Sequence, residues 1–471
     1  MTAAQRALAV PLALLASAPK PAVPPGRFGD LVITHASVLD VRAGVVKPNQ
    51  RVRVENGTIV SVAADDGSPA PGALDARGRL LTPGLIDAHL HLCNILGPPS
   101  CVAPRETPRV LSMRPDSIAE YRKILAAQYL PYGVTSVRDV GASERYLPML
   151  LAWMQRSPRA PDFFPVGADL ISHADDHVPA PWQVEVADSA DAARKVREYY
   201  AKGIRNIKLY WRLREPGLTG GLLEAKRLGM NVTAHVDFGV VKVSRALELG
   251  LTNFEHLLGW IPEVLPPERV DSVFQVVGAR LRTAPDVYPG FFYLAVPMQW
   301  SLIGDHHPTL LALIDRLKAA GASVTPTLHV FAQGLGLSWF ESRPRAWQED
   351  THRWSARDRA EAIAGYRIMA SYVKRLYDAG VRLNVGTDTA DPGKSVLAEM
   401  LLFHDAGIPM VGVFRAATLD TARGIGQEAR LGSIEPGKHA NFVLFDGNPL
   451  ANPRDLLGGK TVIKDGVVQL P

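Results

Sequence analysis

Leu80-Leu81-Thr82-Pro83-Gly84-Leu85-Ile86-Asp87-Ala88-His89-Leu90-His91 is the stretch from which this chain is read. An apolar run of this length, punctuated by Pro-Gly, is consistent with a buried strand. Alternate side chains of a strand share a face. His89 and His91 therefore aim the same way where the strand runs out. Two imidazoles so placed make a metal-binding pair at the mouth of a barrel, or a structural pair on a strand. The pair alone leaves both open.

Working outward, short β-like runs alternate with helical stretches from Thr82 to Gln427. The runs are Val134-Thr135-Ser136-Val137-Arg138-Asp139, Phe164-Pro165-Val166-Gly167, Ile204-Arg205-Asn206-Ile207-Lys208-Leu209, Asn231-Val232-Thr233-Ala234-His235, Thr252-Asn253-Phe254-Glu255-His256, Ser323-Val324-Thr325-Pro326-Thr327-Leu328 and Arg382-Leu383-Asn384-Val385-Gly386-Thr387-Asp388. With the His89 strand they make eight β-then-α units. That count predicts an α/β fold with a (β/α)8 TIM barrel over 82–427. An open doubly wound sheet competes, but no Gly-rich phosphate fingerprint follows the first strand.

The flanks read differently. Residues 27–81 carry Leu31-Val32-Ile33-Thr34, Val52-Arg53-Val54 and Gly57-Thr58-Ile59-Val60-Ser61-Val62, with the hairpin signal Asn56-Gly57. Residues 428–471 carry Phe442-Val443-Leu444-Phe445 and Thr461-Val462-Ile463-Lys464, then the turn Asp465-Gly466. Two β-rich ends predict one small β-sandwich domain built from both. Residues 1–26 read as an export signal and linker: Arg6, an apolar stretch from Ala7 to Ala16, then small residues and prolines. That predicts a periplasmic or secreted protein. A disordered or helical extension of a cytosolic protein is the alternative.

A length of 471 residues with 47% apolar content is enough for a large buried core. The net charge of +5 is small for this size, and no basic-aromatic run suggests a nucleic-acid partner. No stretch is long and apolar enough for a membrane span. Cys93 and Cys101 have no zinc-ribbon spacing; whether they pair is left open.

The barrel strands end in metal-competent residues. The first ends in His89 and His91, the fourth near Lys208, the fifth at His235, the sixth at His256 and the eighth at Asp388. In a parallel barrel all these ends open on one face, so the groups converge.

At this point the chain resembles the amidohydrolase superfamily, in its imidazolonepropionase-like and Xaa-Pro (Xaa-Arg) dipeptidase branch. The stretches that carry the resemblance are Thr82-Pro83-Gly84-Leu85-Ile86-Asp87-Ala88-His89-Leu90-His91, Gly133-Val134-Thr135-Ser136-Val137-Arg138-Asp139-Val140-Gly141, the Lys208 strand, Ala234-His235-Val236, Phe254-Glu255-His256, Val385-Gly386-Thr387-Asp388-Thr389, and the tail from Gly432 to Val443. Asn441 departs from the Asp usual in that tail.

The resemblance implies two divalent metal ions, zinc being the expected metal. His89, His91 and Asp388 would hold one, and His235 and His256 the other. Lys208, carbamylated by CO2, would bridge them. A protonated lysine has no lone pair to donate, whereas a carbamate offers two oxygens. A metal-bridging hydroxide would attack the amide carbonyl, and Asp388 would pass its proton to the leaving amine. His177 and Tyr210 are candidate substrate contacts, although Ser172-His173-Ala174-Asp175-Asp176-His177 replaces the usual Gly-Gly-His. The implied substrates are small molecules, dipeptides or N-acylated amino acids, and a homo-oligomer is expected.

Other readings compete at each position. Lys208 could be an ordinary strand-end lysine beside a carboxylate, with a single-metal site. Asp388 could be a helix N-cap. His235 and His256 could be satisfied core histidines, and His177 a loop residue. The same site could hydrolyse an ester, a lactone or a phosphotriester. A non-enzymatic binding barrel would have lost ligands from the set, and here the set is complete.

Overall fold

The computed structural model describes residues 28–96, 111–175, 178–236, 240–281, 288–340 and 355–469. The expected export signal, Cys101 and His177 lie outside the described residues, as does the side chain of Cys93.

Eight parallel wall positions form the barrel. They are Leu85–Leu90, Val134–Asp139, a split third position (Asp162–Pro165 then Asp169–Ser172), Asn206–Leu209, Asn231–Ala234, Asn253–Glu255, Ser323–Thr325 and Arg382–Leu383. Each pairs with its neighbour in parallel register. The wall closes through backbone bonds from Ala88 N to Val385 O (2.8 Å) and from Asp388 N to His89 O (2.8 Å). The barrel is therefore complete, as the eight-unit count requires.

The third strand differs from the simple run expected at 164–167. It breaks at Gly167, whose φ of +85° suits glycine, and a Cβ there would lie 2.9 Å from the Tyr199 ring. An unforeseen strand, Gln183–Val186, pairs in parallel with Asp169–Ser172. The aromatic stretch from Tyr288 opens the helix Tyr288–Ile303. That helix belongs to an insert between the sixth and seventh strands, with Pro267–Leu281 and Pro308–Ala319.

The barrel floor is polar rather than aliphatic. Asn206, Asn231 and Asn253, from three neighbouring strands, and Asn384, just past the eighth, form a hydrogen-bonded layer. The Nδ2 groups of Asn231 and Asn253 both donate to Gly424 O at 2.7 Å, and Arg138 Nη1 joins them at 3.3 Å. Gly424 ends the short helix Thr421–Gly424, so its carbonyl is one that the helix leaves unpaired. A side chain at 424 would strike the Asn384 amide, at 2.6 Å.

Both chain ends build the second domain. Its sheet runs Val467–Val468, Lys460–Lys464, Phe442–Phe445, Leu80–Pro83, Leu31–Asp40, Val45–Glu55 and Thr58–Ala64, with Leu74–Asp75 beside Leu31–Asp40. The sheet closes over a core of its own, including Ile33, Val52, Leu81, Phe442, Leu444 and Ile463. Asn56-Gly57 and Asp465-Gly466 turn its hairpins, all four residues at positive φ. That is the two-residue turn whose twist matches the strands it joins.

A buried ionic lock fastens this domain to the barrel. Lys464 is fully buried, 3.0 Å from Asp162 of the third barrel strand and 2.5 Å from Asp465. Asn441 Nδ2 donates to Asp162 (3.1 Å), while its Oδ1 accepts from Asp465 N (2.9 Å). An aspartate at 441 would set two buried carboxylates against each other, which accounts for the departure noted in the tail. Burial works to raise the Asp162 carboxyl, but Lys464 and His439 outweigh it and hold it below the usual carboxylate range.

Lys464→Met should therefore cost about 3 kcal/mol, because buried Asp162 loses its lysine while Asp465 keeps only Arg156. Urea unfolding at pH 7 measures it. A depressed folded-state pKa gives stability that is full at neutral pH and fades as pH falls below about 4. The gap between wild type and variant should narrow with it. A loss under 1 kcal/mol at pH 7 would show that the lock holds little.

Candidate metal centre

Each candidate ligand stands at the C-terminal end of its strand, where the register can bring it to the barrel mouth. His89 is in the first strand and His91 just past its end. Lys208 is in the fourth, opposite Thr233 of the fifth. His235 directly follows the fifth strand, and His256 the sixth. His256 and Asp388 adopt left-handed backbone, φ +60° and +50°. Such strain in non-glycine residues gathers where geometry is imposed by a site.

The side chains meet. His89 Nε2 and His256 Nε2 each lie 3.8 Å from Asp388 Oδ2, and His91 Nε2 lies 3.7 Å from Oδ1. Ligand atoms of His89, His256 and Asp388 all fall within 4.8 Å of one another. The His235 and His256 ring centroids are 4.6 Å apart, as are those of His89 and His256. Tyr210 stands edge-on to His235 at 5.1 Å, and Lys208 Nζ lies 5.5 Å from the Tyr210 ring. Asp388 does not cap the next helix; Asp391 takes that position.

These residues fit divalent ions. His89 Nε2 and Lys208 Nζ are buried and have no hydrogen-bond partner among the described residues. Buried polar atoms are otherwise nearly always paired, so such orphans indicate a missing partner. Burial, then the Lys208 charge, pulls His91 down to about 4 and holds His89 well below its ordinary value. Burial and the neighbouring imidazoles do the same to His256. Neutral imidazoles keep the lone pair a metal needs. Burial also lowers Lys208, toward the neutral amine from which a carbamate forms.

Three supporting groups were not foreseen. Glu255 Oε2 lies 2.8 Å from His89 Nδ1, and its Oε1 accepts from Arg138 (2.5 Å) and from Thr233. Burial opposes ionisation of Glu255, but Arg138 and His89 hold it well below the usual range. The ionised carboxylate accepts a hydrogen bond from Nδ1–H, so His89 presents bare Nε2 to the centre. Thr327 Oγ1 lies 2.7 Å from His256 Nδ1, and Gly141 O lies 3.2 Å from His91 Nδ1. The available signal was Glu255 beside His256, a charged residue in an otherwise interior strand.

A barrel with this convergence at its C-terminal face defines a class, and comparison with known proteins names it. The chain belongs to the amidohydrolase family, whose profile matches residues 80–249 and 327–468. It is 31% identical over 119 residues to imidazolonepropionase from Geobacillus kaustophilus (strain HTA426), covering 21% of this chain and 27% of that protein. It is 43% identical over 63 residues to adenine deaminase from Desulfatibacillum aliphaticivorans, covering 13% of this chain and 10% of that one. The chain thus spans about a quarter or less of these curated relatives. A solved Xaa-Pro dipeptidase with bound methionine in its active site is similar over 94% of this chain and 100% of that one (18% identity, TM-score 0.63). A bottromycin amidohydrolase is similar over 93% and 86% (23% identity, TM-score 0.65). At these identities the two structures establish the fold.

Among the described residues, no helix is long and apolar enough to cross a membrane.

Proposed function

We propose that this chain hydrolyses the amide bond of a small dipeptide or N-acylated amino acid, using two divalent ions, zinc by preference, held by His89, His91, His235, His256, Asp388 and a carbamylated Lys208. The observation that carries the reading is the approach of three imidazoles to the Asp388 carboxylate at 3.7–3.8 Å. The Xaa-Pro dipeptidase likeness supports the substrate class. Bound ions would supply Lewis acidity toward the carbonyl oxygen and a water of lowered pKa.

The chain's own residues do the rest. Glu255 and Thr327 fix two imidazole tautomers, so bare Nε2 atoms face inward. Asp388 is more open than His89, His91 or His256, with its side chain 27% exposed. It can therefore reach a substrate as well as an ion. Asp388 Oδ takes the proton from the attacking water and passes it to the leaving nitrogen. Water adds across the C–N bond, giving a carboxylic acid and an amine. Tyr210 flanks the His235 side, where it can pack against substrate.

The test joins elemental analysis of the purified protein with a screen of dipeptides and N-acyl amino acids. Esters, lactones and a phosphotriester run in parallel. About two ions per chain and turnover concentrated on amides is the expected result. Phosphotriester turnover without amide turnover would reject the amide assignment and keep the metal centre.

A further inference from the structure

The helix Leu328–Leu335 follows the seventh barrel strand, and its N-terminus is capped in an unusual way. Thr327 occupies the cap position, at φ +52°, but makes no side-chain bond to its own helix. Threonine is a residue type that normally caps there. Its hydroxyl is engaged elsewhere: Oγ1 donates to Pro326 O (2.8 Å) and faces His256 Nδ1 (2.7 Å). With its proton on Pro326, the oxygen can only accept from the imidazole.

The missing cap comes from another element. Glu399 is fully buried on the helix Pro392–Asp405, which begins just past Asp388. Its Oε1 accepts from Leu328 N at 2.8 Å and its Oε2 from His329 N at 2.6 Å. Those two N–H groups are among the four a helix start leaves unpaired. Burial pushes the Glu399 carboxyl up to about 8, while these two donors at the positive end of the helix dipole favour its ionised form.

We propose that Glu399 is a positioning residue of the metal centre: by capping the helix Leu328–Leu335 from outside, it leaves the Thr327 hydroxyl free to orient His256. It also ties the loop that steers His256 to the helix that follows Asp388. This rests on the metal-centre reading above. β-Branched Thr327 is strained in the left-handed region, so the turn needs such outside support. Without Glu399, the hydroxyl would swing to cap its own helix and release the imidazole.

The test is zinc affinity, measured on the purified full chain by competition with a chromophoric chelator, together with kcat and KM. In Glu399→Gln one acceptor becomes an amide N–H₂ facing a backbone donor. Zinc affinity should fall about 10–100-fold, the usual effect of losing an outer hydrogen bond to a ligand. kcat should fall while KM stays within about threefold. Thr327→Val should match that loss, Thr327→Ser should restore affinity, and the double variant should be no weaker than the weaker single one. A merely structural role would lower the melting temperature and leave zinc affinity unchanged, which would overturn the proposal. Should Glu399→Gln not fold, Thr327→Val decides: wild-type zinc affinity there overturns the proposal, because the path to His256 runs through that hydroxyl. Wild-type protein that binds no divalent ion would remove the metal-centre reading itself, a result distinct from either.

Discussion

Asp388→Asn is expected to keep its metal content and turn over about 1,000-fold more slowly, within the range that general acid–base groups contribute. The substitution keeps the shape of the side chain and an oxygen facing the imidazoles. It removes the ability to hold a proton. Asp388 stands at φ +50°, a conformation that asparagine tolerates well, so the backbone should not move. Its N–H still donates to His89 O, which keeps the eighth position against the first strand. Elemental analysis and kcat on the best amide substrate check both halves. Metal retained with less than a tenfold loss would assign the proton transfer to another group. Metal lost together with activity would make Asp388 chiefly a ligand.

Lys208→Ala should be as severe for a different reason. Lys208 is fully buried and its Nζ has no partner among the described residues. Losing an outer group costs about 10–100-fold, so losing a bridging ligand should cost on the order of 100-fold or more. Truncation to alanine also leaves a void with the volume of the lost stem. Acetate or propionate can enter such a space and present two carboxylate oxygens. Partial recovery of activity and metal content with added short-chain carboxylate is therefore expected, saturating with its concentration. Full activity in Lys208→Ala without additive would remove the carbamate from the mechanism. Loss without any rescue, in a variant that is folded, would leave the lysine as a structural amine.

What could be read from the residues alone follows from local rules. His89 and His91 were legible because alternate strand residues share a face. Asn56-Gly57 was legible because a two-residue hairpin demands positive φ at both positions, and both have it. The strand-end positions of Lys208, His235 and His256 were legible because parallel strands of a barrel open on one face. The supporting groups were not. Glu255 meets His89 across 166 positions of chain, and Glu399 meets Leu328 across 71. Nothing local marks either contact. The break in the third strand was hidden too, since it answers to the Tyr199 ring packed against Gly167. Asn441 answers to Asp162, which stands opposite it from 279 positions away.

The amide layer at the barrel floor bears on how the chain is made. Two asparagines and an arginine from the walls donate to one carbonyl at residue 424, while Leu80–Pro83 waits for Phe442–Phe445 to become its neighbour. A nascent polypeptide still on the ribosome would leave these groups to water, without their partners, until residues 421–445 emerged. The cylinder could not seal before then. Fragments stopped short of Thr421 should accordingly accumulate as chaperone-bound or insoluble species rather than as small independent barrels.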